Sequence, residues 1–151
     1  MNALKVSISP LEAADIPEVL EIEKTVDPSP WAESSFKHEV ETNKLAYYFV
    51  ARHDGKIVGY AGYWLVIDEV HITKVATHLD FRRQKIGEQL LTHLLESASQ
   101  QGATRGTLEL RESNEPARKL YEKFGFSVSG TRKHYYLDNL ENATIMWKET
   151  L

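Results

Sequence analysis

Thr77-His78-Leu79-Asp80-Phe81-Arg82-Arg83-Gln84-Lys85-Ile86-Gly87 is the stretch from which the rest of the chain can be read. An apolar run with the composition of a strand, Val70 to Ala76, enters it. Ile86 to Gln101 leaves it, with Ile86, Leu90, Leu91, Leu94, Leu95 and Ala98 at helical spacing. A strand, a short basic turn and a helix N-terminus in that order make an anion site. The first N–H groups of a helix lack partners within it, and the peptide dipoles place partial positive charge at the same end. Arg82, Arg83 and Lys85 add formal charge there. Charge alone leaves a second reading open, a solvated surface loop. The turn has neither the Gly-x-x-x-x-Gly-Lys-Ser/Thr of a nucleotide triphosphatase nor the Gly-x-Gly-x-x-Gly of a dinucleotide fold.

Outward from this turn the elements follow in both directions. Leu4 to Ile8 reads as a first strand. Asp15-Ile16-Pro17-Glu18 has the pattern of a helix start, with Asp15 as cap and Glu18 closing a capping box. Asp27-Pro28-Ser29-Pro30-Trp31 ends that helix, and a second one covers Glu33 to Thr42. Tyr47 to Arg52 and Lys56 to Ile67 flank Asp54-Gly55, a hairpin signal. Thr107 to Arg111 is a strand. Asn114 caps a helix that runs to Phe124 and stops at Gly125. Phe126 to Tyr136 and Ala143 to Lys148 read as two final, paired strands. The order β-α-α-β-β-β-α-β-α-β-β describes a mixed α/β chain, and no repeat or linker divides residues 1–151 into more than one domain.

Composition narrows the function. The formal net charge is −4, so a basic cluster stands out against an acidic chain. That points to a small anionic ligand and away from nucleic acid. The chain has no cysteine, which excludes a disulfide, a zinc-thiolate site and a cysteine nucleophile, and suits a reducing cytoplasm. Tyr60 to Ile67, the longest apolar run, is too short to span a bilayer, and Met1 to Ser9 has no signal-peptide core, so no membrane contact is expected. The histidines, at 38, 53, 71, 78, 93 and 134, form no ligand spacing, so no metal is expected.

Arg82-Arg83-Gln84-Lys85-Ile86-Gly87 resembles the Gln/Arg-x-x-Gly-x-Gly/Ala segment of the GCN5-related N-acetyltransferases (GNAT). In that family the turn binds the pyrophosphate of acetyl-CoA. Lys85 departs from the pattern by standing at the first glycine position. A helical backbone is expected for Lys85, with its ammonium towards phosphate or solvent and with Lys85→Gly leaving activity intact. Glycine is needed there only if the position takes positive φ. Farther on, Asn114, Ala117, Leu120-Tyr121 and Gly125-Phe126 match the family ending Asn-x-x-Ala-x-x-Leu-Tyr-x-x-x-Gly-Phe. Leu-Glu-Leu-Arg-x-Ser-Asn at 108–114, Arg132 to Tyr136, Ala143 to Trp147 and Ser29-Pro30-Trp31 are similar to the RimI-type branch. Those are bacterial enzymes acting on the N-terminal alanine of a small-subunit ribosomal protein.

The resemblance implies a single-domain GNAT fold, a mixed and mostly antiparallel central sheet flanked by helices. It implies that the backbone of Val75, Ala76 and Thr77 pairs with the pantetheine arm of acetyl-CoA. Arg82, Arg83, Gln84, Lys85, Ile86, Gly87 and Glu88 would hold its phosphates, and Asn114 its arm or a nearby water. Glu109 takes the role of general base. Strand alternation puts it opposite Leu108 and Leu110, facing another layer or a cleft, and the plainer reading is an ion pair with Arg111 or a lysine. An α-amino acceptor has a reference pKa of about 8, so a carboxylate is base enough. Tyr121 would protonate the departing thiolate, against a plainer reading as core. Trp31, Glu69, Tyr135, Tyr136 and Asp138 are the candidate acceptor contacts. The reaction implied is direct attack by a protein N-terminal amine in a ternary complex. A small amine as acceptor, or a non-catalytic acyl-CoA-binding module, are the alternatives.

Overall fold

Seven strands with apolar residues on both faces assemble into one sheet in the computed structural model, which describes residues 3–151. In chain order the elements are β1 (Ser7–Pro10), α1 (Ile16–Val26), α2 (Glu33–Lys37), β2 (Ala46–His53), β3 (Lys56–Val66), β4 (Glu69–Thr77), α3 (Ile86–Gln100), β5 (Arg105–Arg111), α4 (Glu115–Lys123), β6 (Ser127–Arg132) and β7 (Ala143–Lys148). The sheet order is β1-β2-β3-β4-β5-β7-β6. β4 and β5 are parallel, as a strand–helix–strand crossover through α3 requires, and the other neighbours are antiparallel. Each face carries its own core. Leu90, Leu91 and Leu94 of α3 pack on Ala61, Tyr63, Val70 and Ile72. Ile16, Val19 and Ile22 of α1 pack on Val50, Ile57 and Tyr60 on the other side.

Two irregularities in β4 create the site. Tyr63 pairs with Ile72 but Gly62 pairs with Lys74, so Thr73 is an extra residue in the ladder. Its hydroxyl lies 2.6 Å from the Tyr48 hydroxyl and donates to the Gly62 carbonyl at 3.2 Å. The bulge inverts the alternation. Ile72 faces α3, whereas Lys74 and Ala76 face α1. At the same place β4 leaves β5. Their pairing runs from Glu69↔Arg105 to Ile72↔Leu108 and stops, although β4 continues to Thr77 and β5 to Arg111.

Several boundaries differ from the sequence reading. Leu4 does not join a strand from 4 to 8. Its N–H donates to the Gln84 carbonyl at 3.1 Å and its carbonyl accepts from Gln89 Nε2 at 2.7 Å, so the segment before β1 runs along the basic turn. Asp15 stands at the N-cap of α1, but its side chain forms no capping bond there and no capping box with Glu18. It ends a short 3-10 turn, accepts from the Glu12 N–H at 2.9 Å and pairs with Arg52, while Glu18 accepts from the Ile57 N–H at 2.8 Å. The helix expected over Glu33 to Thr42 is α2 followed by a wider π turn, His38–Thr42. The strand expected to Tyr136 stops at Arg132, because residues 133–142 form a loop with left-handed His134 and Leu140.

The basic turn holds the correction with most chemical weight. Lys85 is not right-handed: its φ is 61° and ψ 27°, the left-handed region. Arg83 is left-handed as well, at φ 63°. A side chain there costs about 1–2 kcal/mol relative to glycine, partly offset by the freedom glycine regains when unfolded. Lys85→Gly is therefore expected to stabilise the fold by about 0.5–1 kcal/mol, a rise in melting temperature of about 1–4 °C. A melting curve checks this, and a fall on substitution would show that the Lys85 side chain supplies compensating contacts.

Candidate active site

Because β4 and β5 part beyond Ile72, the sheet carries a cleft of about 690 Å³ between their C-terminal ends. One wall is β4 from His71 to Thr77. Its backbone edge towards β5 has lost that strand as partner, so the N–H and C=O groups of Val75 and Thr77, which point away from β3, are available to an extended, amide-bearing arm, while those of Ala76 face Tyr60 of β3. At the end of this wall lies the start of α3. Arg82 and Gly87 line the cleft there. The N–H groups of Ile86, Gly87 and Glu88 belong to the first turn of a 15-residue helix and have no acceptors within it. A Cβ on Gly87 would stand 3.4 Å from Leu120 and 3.9 Å from the Thr77 hydroxyl, so the helix start sits close against β4 and α4. A free strand edge running into a helix N-terminus with Arg82 beside it suits a ligand that combines amides with phosphates.

The other wall is β5 and α4. Leu108 and Leu110 face the core, and Glu109 faces the cleft, with its side chain 15% exposed. Its carboxylate lies 3.4 Å from His71 Nε2 and 3.7 Å from an Arg132 guanidinium nitrogen, and the Tyr135 hydroxyl stands at 3.5 Å. Arg111, the pairing partner considered for Glu109, instead binds Asp138 at 2.9 Å and Glu141 at 3.3 Å and stacks on Tyr136 at 4.1 Å. Glu109 thus keeps a solvent-reachable carboxylate among longer, looser contacts, as a proton acceptor needs.

Asn114 caps α4, accepting from the Ala117 N–H at 3.2 Å, and lines the cleft. Tyr121 follows almost two turns later and lines it too. Burial, with a smaller contribution from Tyr136, pushes the Tyr121 phenol well above its ordinary value. The phenol therefore holds its proton throughout the neutral range.

Trp31, Tyr135 and Tyr136 also line the cleft. Trp31 packs on Phe36 and Tyr48, with centroids at 5.1 and 6.1 Å, so it is both a core and a cleft residue. Burial raises the Tyr136 hydroxyl to about 12, against the Arg111 charge that lowers it. Asp138 stands behind this wall and holds the 133–142 loop through Arg111. Desolvation opposes ionisation of Asp138, but its bonds to Arg111 outweigh that and hold its pKa below the ordinary value. Glu69 does not belong to the cleft. It opens β4 at the far end from Thr77, roughly 26 Å away along an extended strand, and pairs with Arg105 at 3.1 Å. In the basic turn, Ile86 is buried in the core, Glu88 pairs with Lys123 at 2.6 Å, and the Gln84 carbonyl is taken by Leu4. Arg83 and Lys85 are exposed beside Arg82.

Among the cleft residues that escaped the sequence reading are four with ionisable side chains, His71, Lys74, Glu23 and Asp27. Glu23 carried a signal, since Ile16, Val19 and Glu23 share one helical stripe and an acidic residue in that stripe is buried. Lys74 carried none, because uninterrupted alternation assigns it to the face of Ile72. Among the described residues, no group of three or more His, Cys, Asp or Glu side chains is arranged to hold a metal ion. No helix among them is long and apolar enough to cross a membrane.

Comparison with known proteins agrees with this geometry. The model of the acetyltransferase (GNAT) family matches residues 16–126. A Bacillus subtilis relative, named as a candidate ribosomal protein bS18-alanine N-acetyltransferase, is 43% identical over 95% of both chains. The ribosomal protein bS18-alanine N-acetyltransferase of Escherichia coli K12 is 34% identical over 93% of this chain and 95% of its own. The crystal structure of the Escherichia coli ribosomal-protein-S18-alanine N-acetyltransferase superposes with a TM-score of 0.88, at 32% identity, covering 97% of this chain and 96% of that one. Sheet order, parted strands, helix-start anion site and these likenesses agree: the chain belongs to the GNAT acetyltransferase family.

Proposed function

We propose that this acetyl-CoA-dependent N-acetyltransferase, one domain over residues 1–151, acetylates the N-terminal alanine of ribosomal protein bS18 in the cytoplasm. The substrate reading draws on the names of relatives that align over nearly the whole chain. The single structural observation that carries the chemistry is Glu109, a cleft-facing carboxylate opposite the free edge of β4. When bound, acetyl-CoA supplies the thioester. The unpaired edge at Val75 and Thr77 holds its arm, and Arg82 with the N–H groups of Ile86, Gly87 and Glu88 holds its pyrophosphate. Asn114 borders the same arm from the start of α4.

The remaining steps belong to the side chains. Trp31, Tyr135 and Tyr136 orient the peptide terminus. Glu109 takes a proton from the terminal ammonium, directly or through a water, and leaves a neutral nucleophile. Tyr121 keeps its phenol protonated and supplies that proton to the leaving sulfur.

Three outcomes test this reading. Thiol release from acetyl-CoA should be fastest with peptides beginning with Ala, slower with Ser or Met, and equal rates with polyamines would overturn the N-terminal assignment. Glu109→Gln should lower kcat about 10²-fold or more below pH 8 and progressively less above it, where the acceptor amine is already neutral. A wild-type pH profile in that variant would remove the role of Glu109. Tyr121→Phe should reduce kcat about 10²-fold while acetyl-CoA affinity, measured by calorimetry, stays within a few-fold.

A further inference from the structure

In the cleft, beside Trp31, an acidic and aromatic cage is filled by an ammonium of the chain itself. Lys74 Nζ lies 2.5 Å from Glu23 Oε2 and 3.1 Å from Asp27 Oδ2. It stands 4.3 Å from the centroid of the Trp31 ring and 5.9 Å from that of Phe36. Glu23 is fully buried, and two further donors fix its carboxylate: the Tyr60 hydroxyl at 2.6 Å and the Trp31 N–H at 2.9 Å. Glu23, Asp27, Trp31 and Lys74 all line the cleft. The Thr73 bulge is what aims Lys74 into this cage.

Two carboxylates and one ammonium leave a single net negative charge in the wall. Without Lys74 there would be two, around a hollow shaped for an alkylammonium with an indole face above it. Carboxylates and indole faces together recognise alkylammonium groups. Lysine side chains and polyamines present such a group on a flexible stem, which is the chemistry of Lys74 itself. An N-terminal alanine presents an α-amine and a methyl group and needs no such hollow.

We infer that Lys74 is a specificity-determining residue: its ammonium occupies the Glu23–Asp27–Trp31 cage and so excludes lysine side chains and polyamines, leaving the cleft to short N-terminal residues. The inference rests on the proposal that the acceptor is a protein N-terminus. Discrimination here comes from filling a competitor's seat, not from added contacts to the preferred acceptor.

The test compares kcat/KM for an alanine-starting peptide and for spermidine, with an N-terminally blocked peptide carrying one lysine as competitor. Lys74→Met should raise the spermidine-to-alanine-peptide ratio about tenfold or more, one spermidine ammonium taking the vacated cage while another amine attacks, and the one-amine lysine peptide should bind there as a competitor of spermidine. Lys74→Arg should keep the wild-type ratio. Adding Glu23→Gln and Asp27→Asn to Lys74→Met should abolish the gain, which a merely structural role for Lys74 does not predict. A folded Lys74→Met enzyme with an unchanged ratio overturns the inference while leaving the N-terminal acceptor standing. Wild-type enzyme that acetylates spermidine but no alanine peptide overturns both. If Lys74→Met fails to fold, competition on the wild type decides: spermidine up to about 1 mM should not compete with the peptide, and competitive inhibition below that overturns the inference.

Discussion

Between Ile72 and Lys74, β4 carries one residue more than β3 opposes, and the Thr73 hydroxyl is held there by Tyr48 and the Gly62 carbonyl. The rest of the site follows from this constraint. A bulge bends and twists its strand, and β4 leaves β5 at this place. The parted strands expose a backbone edge, make room for an arm beside it, and set Glu109 across the gap. Gly62 belongs to the same device. A Cβ on it would fall 2.2 Å from the Tyr48 ring, so the ring that braces the bulge can lie flat on β3 only because Gly62 has no side chain.

Two carboxylates of the cleft are held in opposite ways. Around Glu109 the nitrogen partners are loosely placed. Arg132 is mostly exposed at 3.7 Å, and His71 stands at 3.4 Å outside hydrogen-bond geometry. A carboxylate so held keeps lone pairs open to accept a proton. Around Glu23 every acceptor is committed to Tyr60, Trp31 or Lys74. That carboxylate has no oxygen left without a partner. The phenols of Tyr121 and Tyr136 also line the cleft and burial keeps them protonated at neutral pH, so they offer proton donors without adding negative charge.

Much of this was readable from spacing. The α3 stripe from Ile86 to Ala98, the Asn114 cap and the Gly125 stop are all found where local pattern puts them, because each is a property of neighbouring residues. The alternation of Leu108, Glu109 and Leu110 placed Glu109 correctly for the same reason. What escaped was set by distant parts of the chain. The Thr73 bulge depends on Tyr48 and Gly62, and no local rule separates it from an even strand. Leu4 pairs with Gln84 and Gln89, which hydrophobic alternation cannot reveal. Lys85 shows the remaining kind of error: a non-glycine residue at a glycine position suggests that the backbone has changed, whereas the backbone kept its left-handed turn and the side chain accepts the strain.

The hook between the N-terminal segment and the basic turn has a consequence for synthesis. Leu4 and Val6 bond to Gln84 and Gln89, across 83 to 85 positions of sequence for the side-chain contacts. A ribosome releases a chain in sequence order, so Leu4 and Val6 wait for Gln89 until 83 to 85 further positions have been made. The basic turn is therefore braced by residues made well before it. Such a long-range closure adds to the topological cost of folding and ties the order of translation to the completion of this turn.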